Sequence, residues 1–164
     1  MIVSLDGTLS SKNGLVKCAF GKNGISASKR EGDGTTPAGT FPIREVWYRA
    51  DRLPKPETVL PCRAITPTDG WADDPAGPHY NQHLTLPSSE RHEDLWREDE
   101  IYDVFAVIGY NDAPAKPGLG SAIFLHVARE GYPPTEGCVA VALPDLLAIL
   151  RTLEIGSEIV ILGA

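Results

Sequence analysis

The sequence predicts a mainly β fold, an antiparallel β-sandwich or barrel with one C-terminal helix and a long proline-rich insertion. Its 16 glycines and 14 prolines among 164 residues exceed ordinary usage, which favours turns and short strands over a helical bundle. Apolar residues alternate in the first candidate strand, and helical spacing of leucines occurs once, near the C-terminus. The length fits a single domain, residues 1–164.

The first half of the chain begins with a predicted hairpin. Apolar residues alternate along residues 15–20, and the Gly-Lys-Asn-Gly sequence at 21–24 is typical of a turn. We therefore expect the chain to reverse here and pair with itself. A glycine-rich loop at residues 30–39 then leads into a strand at residues 41–48.

Residues 51–100 form the predicted insertion. The seven prolines in this segment argue against long regular elements. Trp71, Tyr80 and Trp96 occur among them, and aromatic residues are scarce in flexible linkers. We expect the insertion to pack against the sheet.

The second half is more regular and contains four predicted strands and the helix. Leucines recur at three- and four-residue spacing in a segment that Pro144 opens and Gly156 ends, as expected for an α-helix. The strands are predicted at residues 102–109, 121–128, 138–142 and 158–162.

The composition narrows the function classes. The formal net charge is -7 and basic residues form no stripe, which argues against nucleic acid as a partner. No apolar run reaches the roughly 18 residues of a membrane span. The N-terminal residues lack the features of a signal peptide, so we expect either a cytoplasmic protein or one whose leader has been removed.

The cysteines point to a candidate nucleophile. Cys18, Cys62 and Cys138 are an odd number, so at least one thiol is unpaired, and pairing of Cys18 with Cys62 stays open. Cys138 follows Gly137, where backbone amides can approach a reacting carbonyl, and His126 lies at the end of another apolar strand. A nucleophilic thiol needs a nearby base, for which imidazole is the usual choice. On residue type alone, a buried inert cysteine and a structural histidine are the alternative.

Longer motifs surround these two residues. The sequence Thr-Glu-Gly-Cys-Val occupies residues 135–139, and Gly-Thr-Thr-Pro-Ala-Gly-Thr-Phe occupies residues 34–41. Together with His126, these segments resemble the L,D-transpeptidase (YkuD-like) catalytic domain of bacterial cell-wall enzymes, whose Thr-Pro-x-Gly-x-Phe segment matches the second motif. A small subgroup is similar in further segments, namely residues 29–34, 69–71, 73–75, 80–81 and 109–111.

The resemblance implies a YkuD-like fold and acyl transfer through a thioester. Cys138 would attack the peptide carbonyl between an L-centre and a D-centre of a peptidoglycan stem, and His126 would act as base and then as acid. Amides near Gly137 and Cys138 would stabilise the oxyanion. Stem peptides would be donor and acceptor, carbapenems would be covalent inhibitors, and no metal or organic cofactor would be needed. Such a substrate implies the periplasm or cell envelope.

Two positions depart from the family pattern. Val127 follows the histidine where the family commonly has glycine, and Ala140 stands two residues after the cysteine where it commonly has arginine. An arginine at that position would offer a guanidinium, which is a natural partner for a substrate carboxylate. Arg129, between the histidine and the cysteine, is a candidate replacement.

Eight residues are candidates for substrate contacts. Asp73 could hold an amino group of the substrate, and Tyr110 and Asn111 follow a strand at the start of a loop, where sites are common. Trp71 and Tyr80 could line the cleft, or they could pack the insertion onto the sheet. The full set is Trp71, Asp73, Tyr80, Asn81, Tyr110, Asn111, Arg129 and Thr135.

Other functions are compatible with parts of the pattern. With water instead of an amine, the same site would be an L,D-carboxypeptidase, and loss of the arginine would suit a non-catalytic peptidoglycan-binding module. His79 and His83 have the spacing of zinc ligands on a helix, with His126 and Cys138 as further ligands. The prolines around this pair do not support a helix, which argues against zinc.

Overall fold

The computed structural model describes residues 1–163, which form fourteen strands and one helix. The first half contains β1 (Ile2–Ser4), β2 (Thr8–Ser11), β3 (Gly14–Ala19), β4 (Ile25–Ser26), β5 (Thr36–Pro37) and β6 (Gly39–Tyr48). The insertion carries β7 (Cys62–Ala64), β8 (Asp69–Ala72), β9 (His83–Thr85) and β10 (His92–Asp94). The second half consists of β11 (Val104–Ile108), β12 (Phe124–Val127), β13 (Val139–Val141), α1 (Leu143–Thr152) and β14 (Glu158–Ile161). No helix in the described part of the chain is long and apolar enough to span a membrane.

Eight of the strands form a closed ring. Hydrogen-bonded neighbours follow the order β11, β12, β13, β3, β2, β1, β14 and β6, and β6 also pairs with β11. Most of these pairs are antiparallel, whereas β1 with β14 and β12 with β13 are parallel. The parallel pair β12 and β13 matters most for the predicted site, because His126 lies on β12 and Cys138 directly precedes β13.

The length of β6 allows the ring to close. Its ten residues first pair with β14, where Phe41 lies opposite Ile159. They then pair with β11, where Trp47 lies opposite Phe105. The two ends of one strand therefore pair with different neighbours, which closes the ring.

Aliphatic side chains and α1 form the main core. Strands β11, β12 and β13 are buried along their whole length, as expected for strands covered on both faces. Leu146, Ile149 and Leu150 form the buried side of α1, at the spacing of one helical face. Burial of each of these side chains stabilises the fold by roughly 1.5–3 kcal/mol.

The mainly β fold with one C-terminal helix is confirmed, while two local predictions are wrong. β3 does not pair with the segment after residues 21–24, because β2 and β13 occupy both of its edges. That segment forms β4, which pairs in parallel with β5. The helix ends at Thr152 and not at Gly156, because Leu153 turns to extended backbone and buries its side chain in the core.

The insertion packs against the ring, as its aromatic residues predict. β8 is the central strand of a three-stranded sheet between β10 and β9. Trp71 on β8 meets Phe124 of β12 edge to face, with 5.2 Å between the ring centroids. A second, mainly aromatic core therefore joins the insertion to β11 and β12.

Candidate active site

Cys138 and His126 are brought together by the parallel pair β12 and β13. His126 lies opposite Ala140, and Leu125 lies opposite Val139, which puts Cys138 beside Phe124. Side chains alternate along a strand, so residues 124 and 126 share a face with residues 138 and 140. The thiol and the imidazole therefore face the same cavity.

The Cys138 thiol is held by backbone groups. Its Sγ donates a hydrogen bond to the Ala122 carbonyl at 3.2 Å and accepts one from the Phe124 N–H at 3.3 Å. Burial, with a smaller effect of the Glu93 carboxylate, raises the pKa of the Cys138 thiol to about 12. The resting group is consequently a thiol, which needs a base in order to react.

His126 has the form that such a base requires. Its Nδ1 lies 2.9 Å from the Val127 carbonyl, so Nδ1 carries the proton and Nε2 presents its lone pair. Burial lowers the pKa of the imidazole to about 4, which keeps the ring neutral at neutral pH. The buried ring of Tyr102 meets the imidazole edge to face, with 5.6 Å between centroids.

The turn before Cys138 is fixed by threonine hydroxyls. Thr135 Oγ1 donates to the Cys138 carbonyl at 2.6 Å and accepts from the Gly137 N–H at 3.1 Å. Thr36 Oγ1 donates to the Gly137 carbonyl at 2.8 Å. Gly137 has φ +147°, and a Cβ there would lie 2.8 Å from the Thr35 carbonyl oxygen. Only glycine fits this position without displacing backbone.

Lys29 supplies a buried positive charge beside that turn. Its Nζ donates to the Thr35 carbonyl at 2.7 Å and to Asp33 at 3.0 Å. A Cβ on Gly137 would come within 3.2 Å of this ammonium. The charge favours the thiolate and partly offsets the effect of burial on the Cys138 pKa. The sequence carries no signal that this loop lysine folds inward.

Cys138 and His126 both line a cavity of about 560 Å³. Six of the residues predicted for the site line it, which are Asp73, His126, Arg129, Thr135, Gly137 and Cys138. Further polar residues line it that sequence reasoning did not single out as site residues, among them Lys29, Glu31, Glu93, Arg97, Tyr102 and Ser121. The cavity therefore carries both signs of charge close to the thiol.

Arg129 lies at the cavity but already has a partner. Its guanidinium is 2.9 Å from Asp99, which also pairs with Arg97 at 2.7 and 2.8 Å. Ala140, where the family arginine is missing, also lines the cavity. Lys29, Arg97 and Arg129 are thus the cationic side chains that line this cavity within residues 1–163.

Trp71, Tyr80 and Asn81 are buried behind the cavity wall and do not line it. Asn81 Oδ1 accepts hydrogen bonds from Trp71 Nε1 and from the Ala122 N–H, both at 3.0 Å. Tyr80 donates to Glu31 at 2.5 Å and accepts from the Gly120 N–H at 2.9 Å. These contacts position the backbone next to Cys138.

Tyr110 and Asn111 line a separate, shallower cavity of about 360 Å³. Tyr110 donates its hydroxyl hydrogen to the Leu119 carbonyl, and Asn111 Nδ2 donates to the Gly120 carbonyl at 2.9 Å. Their carbonyls both accept hydrogen bonds from Asn81 Nδ2, at 3.0 and 2.8 Å. The two residues hold the loop that leads into β12.

Three of the residues in this network have left-handed backbone, which costs energy in residues other than glycine. The φ angles are +57° for Asn81, +51° for Asn111 and +51° for Ala122. Asn81 is hydrogen-bonded to the backbone of both others. Since Ala122 also accepts the thiol hydrogen, this strained backbone sets the position of Cys138 Sγ.

The histidines considered for zinc do not meet the cysteine. His79 Nδ1 lies 2.5 Å from Glu90, and His83 Nε2 lies 2.7 Å from Asp69. Neither lines the cavity, and residues 1–163 contain no group of three or more side chains arranged as metal ligands. Cys18, Cys62 and Cys138 are all free thiols.

A family model matches nearly the whole chain. The family model of the L,D-transpeptidase catalytic domain, YkuD, matches residues 3–161. Among curated proteins none matches. A crystal structure of Mycobacterium tuberculosis L,D-transpeptidase 1 is similar with 13% sequence identity and a TM-score of 0.45, over 99% of this chain and 57% of that chain. This chain thus spans little more than half the length of that one.

Proposed function

The chain belongs to the L,D-transpeptidase catalytic domain family, and on that premise we propose that it cross-links peptidoglycan stem peptides through a thioester on Cys138. The observation that carries the proposal is that the neutral His126 imidazole, on β12, and the Cys138 thiol, directly before the adjacent parallel strand β13, both line the cavity. The cavity is large enough to hold a short peptide segment.

Acylation begins from a neutral thiol and a neutral imidazole. The thiol proton leaves the Ala122 carbonyl and passes to His126 Nε2 while Sγ bonds to the donor carbonyl carbon. His126 then returns the proton to the amine nitrogen of the terminal D-residue as the carbon–nitrogen bond breaks. The donor acyl group is left on Cys138 as a thioester.

A second stem peptide resolves the thioester. Its neutral amine attacks the carbonyl carbon and gives one proton to His126 Nε2, the carbon–sulfur bond breaks, and the thiolate takes that proton from His126. The Lys29 ammonium beside Gly137 stabilises negative charge that develops near the thiol in both steps. The Gly137 N–H is directed to Thr135 Oγ1 in the resting state, so this amide reaches an oxyanion only after the turn adjusts.

The carboxylate of the donor needs a cationic partner in place of the missing arginine. Arg129 and Arg97 both line the cavity, and they share Asp99 as their ion-pair partner. We assign the donor carboxylate to this pair, which can exchange its hydrogen bonds to Asp99 for bonds to the substrate. The thioester chemistry itself requires no metal or organic cofactor.

Product analysis with purified disaccharide-peptides tests the proposal. Incubation should give cross-linked dimers with loss of one terminal D-amino acid for each dimer, and Cys138→Ala should give none. Trimmed monomers alone would identify an L,D-carboxypeptidase. Unchanged monomers with retained binding would identify a non-catalytic module. The Cys62→Ala variant is the matched control, since this thiol lies on β7 and does not line the cavity.

A further inference from the structure

Glu93 places a carboxylate in the reaction cavity with little to neutralise it. The residue lies on β10, opposite Trp71 of β8, and its side chain lines the cavity. Tyr102 donates its hydroxyl hydrogen to Glu93 Oε1 at 2.7 Å. Within residues 1–163, Tyr102 is the hydrogen-bond partner of this carboxylate, and Glu93 takes part in no ion pair. The second oxygen, Oε2, is therefore available to accept a hydrogen bond from a ligand in the cavity.

Tyr102 connects this carboxylate to the reacting pair. The buried tyrosine ring lies edge to face on His126, while its hydroxyl holds Glu93. The negative charge of Glu93 raises the pKa of the Cys138 thiol, so the two groups are near enough to interact. Glu93 therefore lies close enough to Cys138 for its charge to act at the proposed site of thioester formation.

The surroundings of Glu93 favour binding of a positively charged group of the substrate. Burial raises the pKa of the Glu93 carboxyl, and the nearby carboxylates of Asp73 and Asp94 act in the same direction. The cation that faces it, Arg97, is already paired with Asp99 through two hydrogen bonds. A buried carboxylate without a full partner is costly, and a substrate ammonium would remove that cost.

We propose that Glu93, held by Tyr102, binds the ammonium group of the acceptor peptide and removes its proton before the amine attacks the thioester. This rests on the proposed function, because only an acceptor amine distinguishes cross-linking from hydrolysis. The class of ligand is a primary ammonium on a peptide side chain.

The proton balance is complete with Glu93, His126, Cys138 and solvent. The acceptor ammonium gives one proton to the Glu93 carboxylate and becomes a neutral amine. The amine attacks the thioester carbonyl, and its second proton passes to His126 Nε2 as the new carbon–nitrogen bond forms. The carbon–sulfur bond then breaks, the thiolate takes the proton from His126, and Glu93 releases its proton to solvent.

The Glu93→Gln variant isolates this step. The introduced amide oxygen can still accept the Tyr102 hydrogen bond, so we expect the fold to be retained and donor acylation to be no slower than in the unaltered protein. Glu98→Gln, an exposed carboxylate on the segment after β10, is the matched charge control. In each protein the thioester is first formed with a donor stem peptide, and its loss is followed by intact mass.

Reaction of the thioester with three nucleophiles then distinguishes deprotonation of the acceptor ammonium from an effect of Glu93 on the thioester itself. With an acceptor peptide, whose amine is protonated at neutral pH, we expect Glu93→Gln to slow aminolysis by roughly 10²-fold. Hydroxylamine is neutral at that pH, so its reaction should be unchanged, as should hydrolysis by water. Cross-linked product should fall relative to trimmed product, and Glu98→Gln should match the unaltered protein.

Equal rates of aminolysis in Glu93→Gln and the unaltered protein would overturn the inference. So would a loss of hydroxylamine reactivity as large as the loss of aminolysis, since Glu93 would then act on the thioester and not on the ammonium. If the unaltered protein forms no thioester at all, the proposed function fails and this inference fails with it. If Glu93→Gln forms the thioester normally and gives the same ratio of cross-linked to trimmed product as the unaltered protein, only the role of Glu93 is overturned.

Discussion

The two walls of the cavity differ in how they are built. One wall consists of β12 and β13, two regular, fully buried strands, with His126 on β12 and Cys138 directly before β13. The other wall comes from the insertion, where β10 carries Glu93 and the Asn81 network lies behind the wall. The first wall carries the proposed nucleophile and base, and the insertion holds the backbone next to them and adds charge around them.

This difference predicts where substitutions act. Changes on the β12–β13 wall should remove chemistry and leave the fold largely intact, because regular strands are held by many backbone bonds. Changes in the insertion should alter stability, thiol pKa and the fate of the thioester.

Cys138→Ala should abolish adduct formation and turnover, because it removes the nucleophile. Far-UV circular dichroism and the melting temperature should remain close to those of the unaltered protein. Turnover measured with disaccharide-peptides provides the check. Residual cross-linking in this variant would show that the nucleophile is a residue outside the β12–β13 wall.

His126→Gln should slow acylation by roughly 10²–10⁴-fold, the usual effect of losing a general base. Single-turnover acylation followed by intact mass measures the rate. His92→Gln is the matched control, because His92 also lines the cavity but lies on the insertion wall. An equal loss in both variants would mean that the two walls share the proton transfer.

Asn81→Ala should lower the free energy of unfolding by about 3 kcal/mol, since it leaves buried partners of four hydrogen bonds unsatisfied. Urea denaturation measures this loss. Asn13→Ala, which removes one exposed hydrogen bond, should cost far less. If Asn81→Ala unfolds like Asn13→Ala, the insertion does not position the backbone at Ala122.

The buried imidazole should make stability depend on pH. The pKa of His126 is about 4 in the folded protein, against 6.5 when unperturbed. Between these values the unfolded chain binds a proton that the folded protein does not, so stability falls as the pH is lowered. His126 should lower the free energy of unfolding by on the order of 3 kcal/mol between neutral pH and the pKa of the folded protein, and by no more below that pKa. Denaturation between pH 7 and 4 should show a smaller loss for His126→Gln.

The smallest effects should be opposite shifts of the thiol pKa. Lys29→Gln should raise the pKa of Cys138 and slow its alkylation, because the ammonium favours the thiolate. Glu93→Gln should lower that pKa and speed alkylation. The pH dependence of iodoacetamide labelling measures both, with Lys22→Gln as an exposed lysine control. Shifts of the same sign would contradict the assigned charges.

The same contrast explains what could be predicted from the sequence. Residues 121–128 and 138–142 carry apolar runs of strand length, so β12 and β13 were predictable, and the Gly-Cys motif marks one end. The Lys29 ammonium and the Glu93 carboxylate were not predictable as site groups. Their place depends on how a glycine-rich loop and a proline-rich insertion fold back over the ring, and neither segment has a periodic pattern.

Tertiary contacts also decided which motif residues reach the cavity. Trp71 and Asn81 belong to motifs that the sequence singles out, yet they bond to each other behind the wall. The hairpin after β3 was wrong for a related reason, since β13, more than a hundred residues later in the chain, takes that edge. A local sequence pattern therefore predicts that a segment forms a strand, but it does not predict which strands pair with it.

Capture of the thioester would show directly whether Cys138 is the nucleophile. The protein is mixed with a purified disaccharide-tetrapeptide, quenched in acid within the first turnover, and measured by intact mass and then by peptide fragmentation. The account predicts an adduct equal to the donor less its terminal amino acid, located on Cys138 and absent from Cys138→Ala. Cross-linking without any adduct on Cys138, or an adduct located on Cys62, would contradict it.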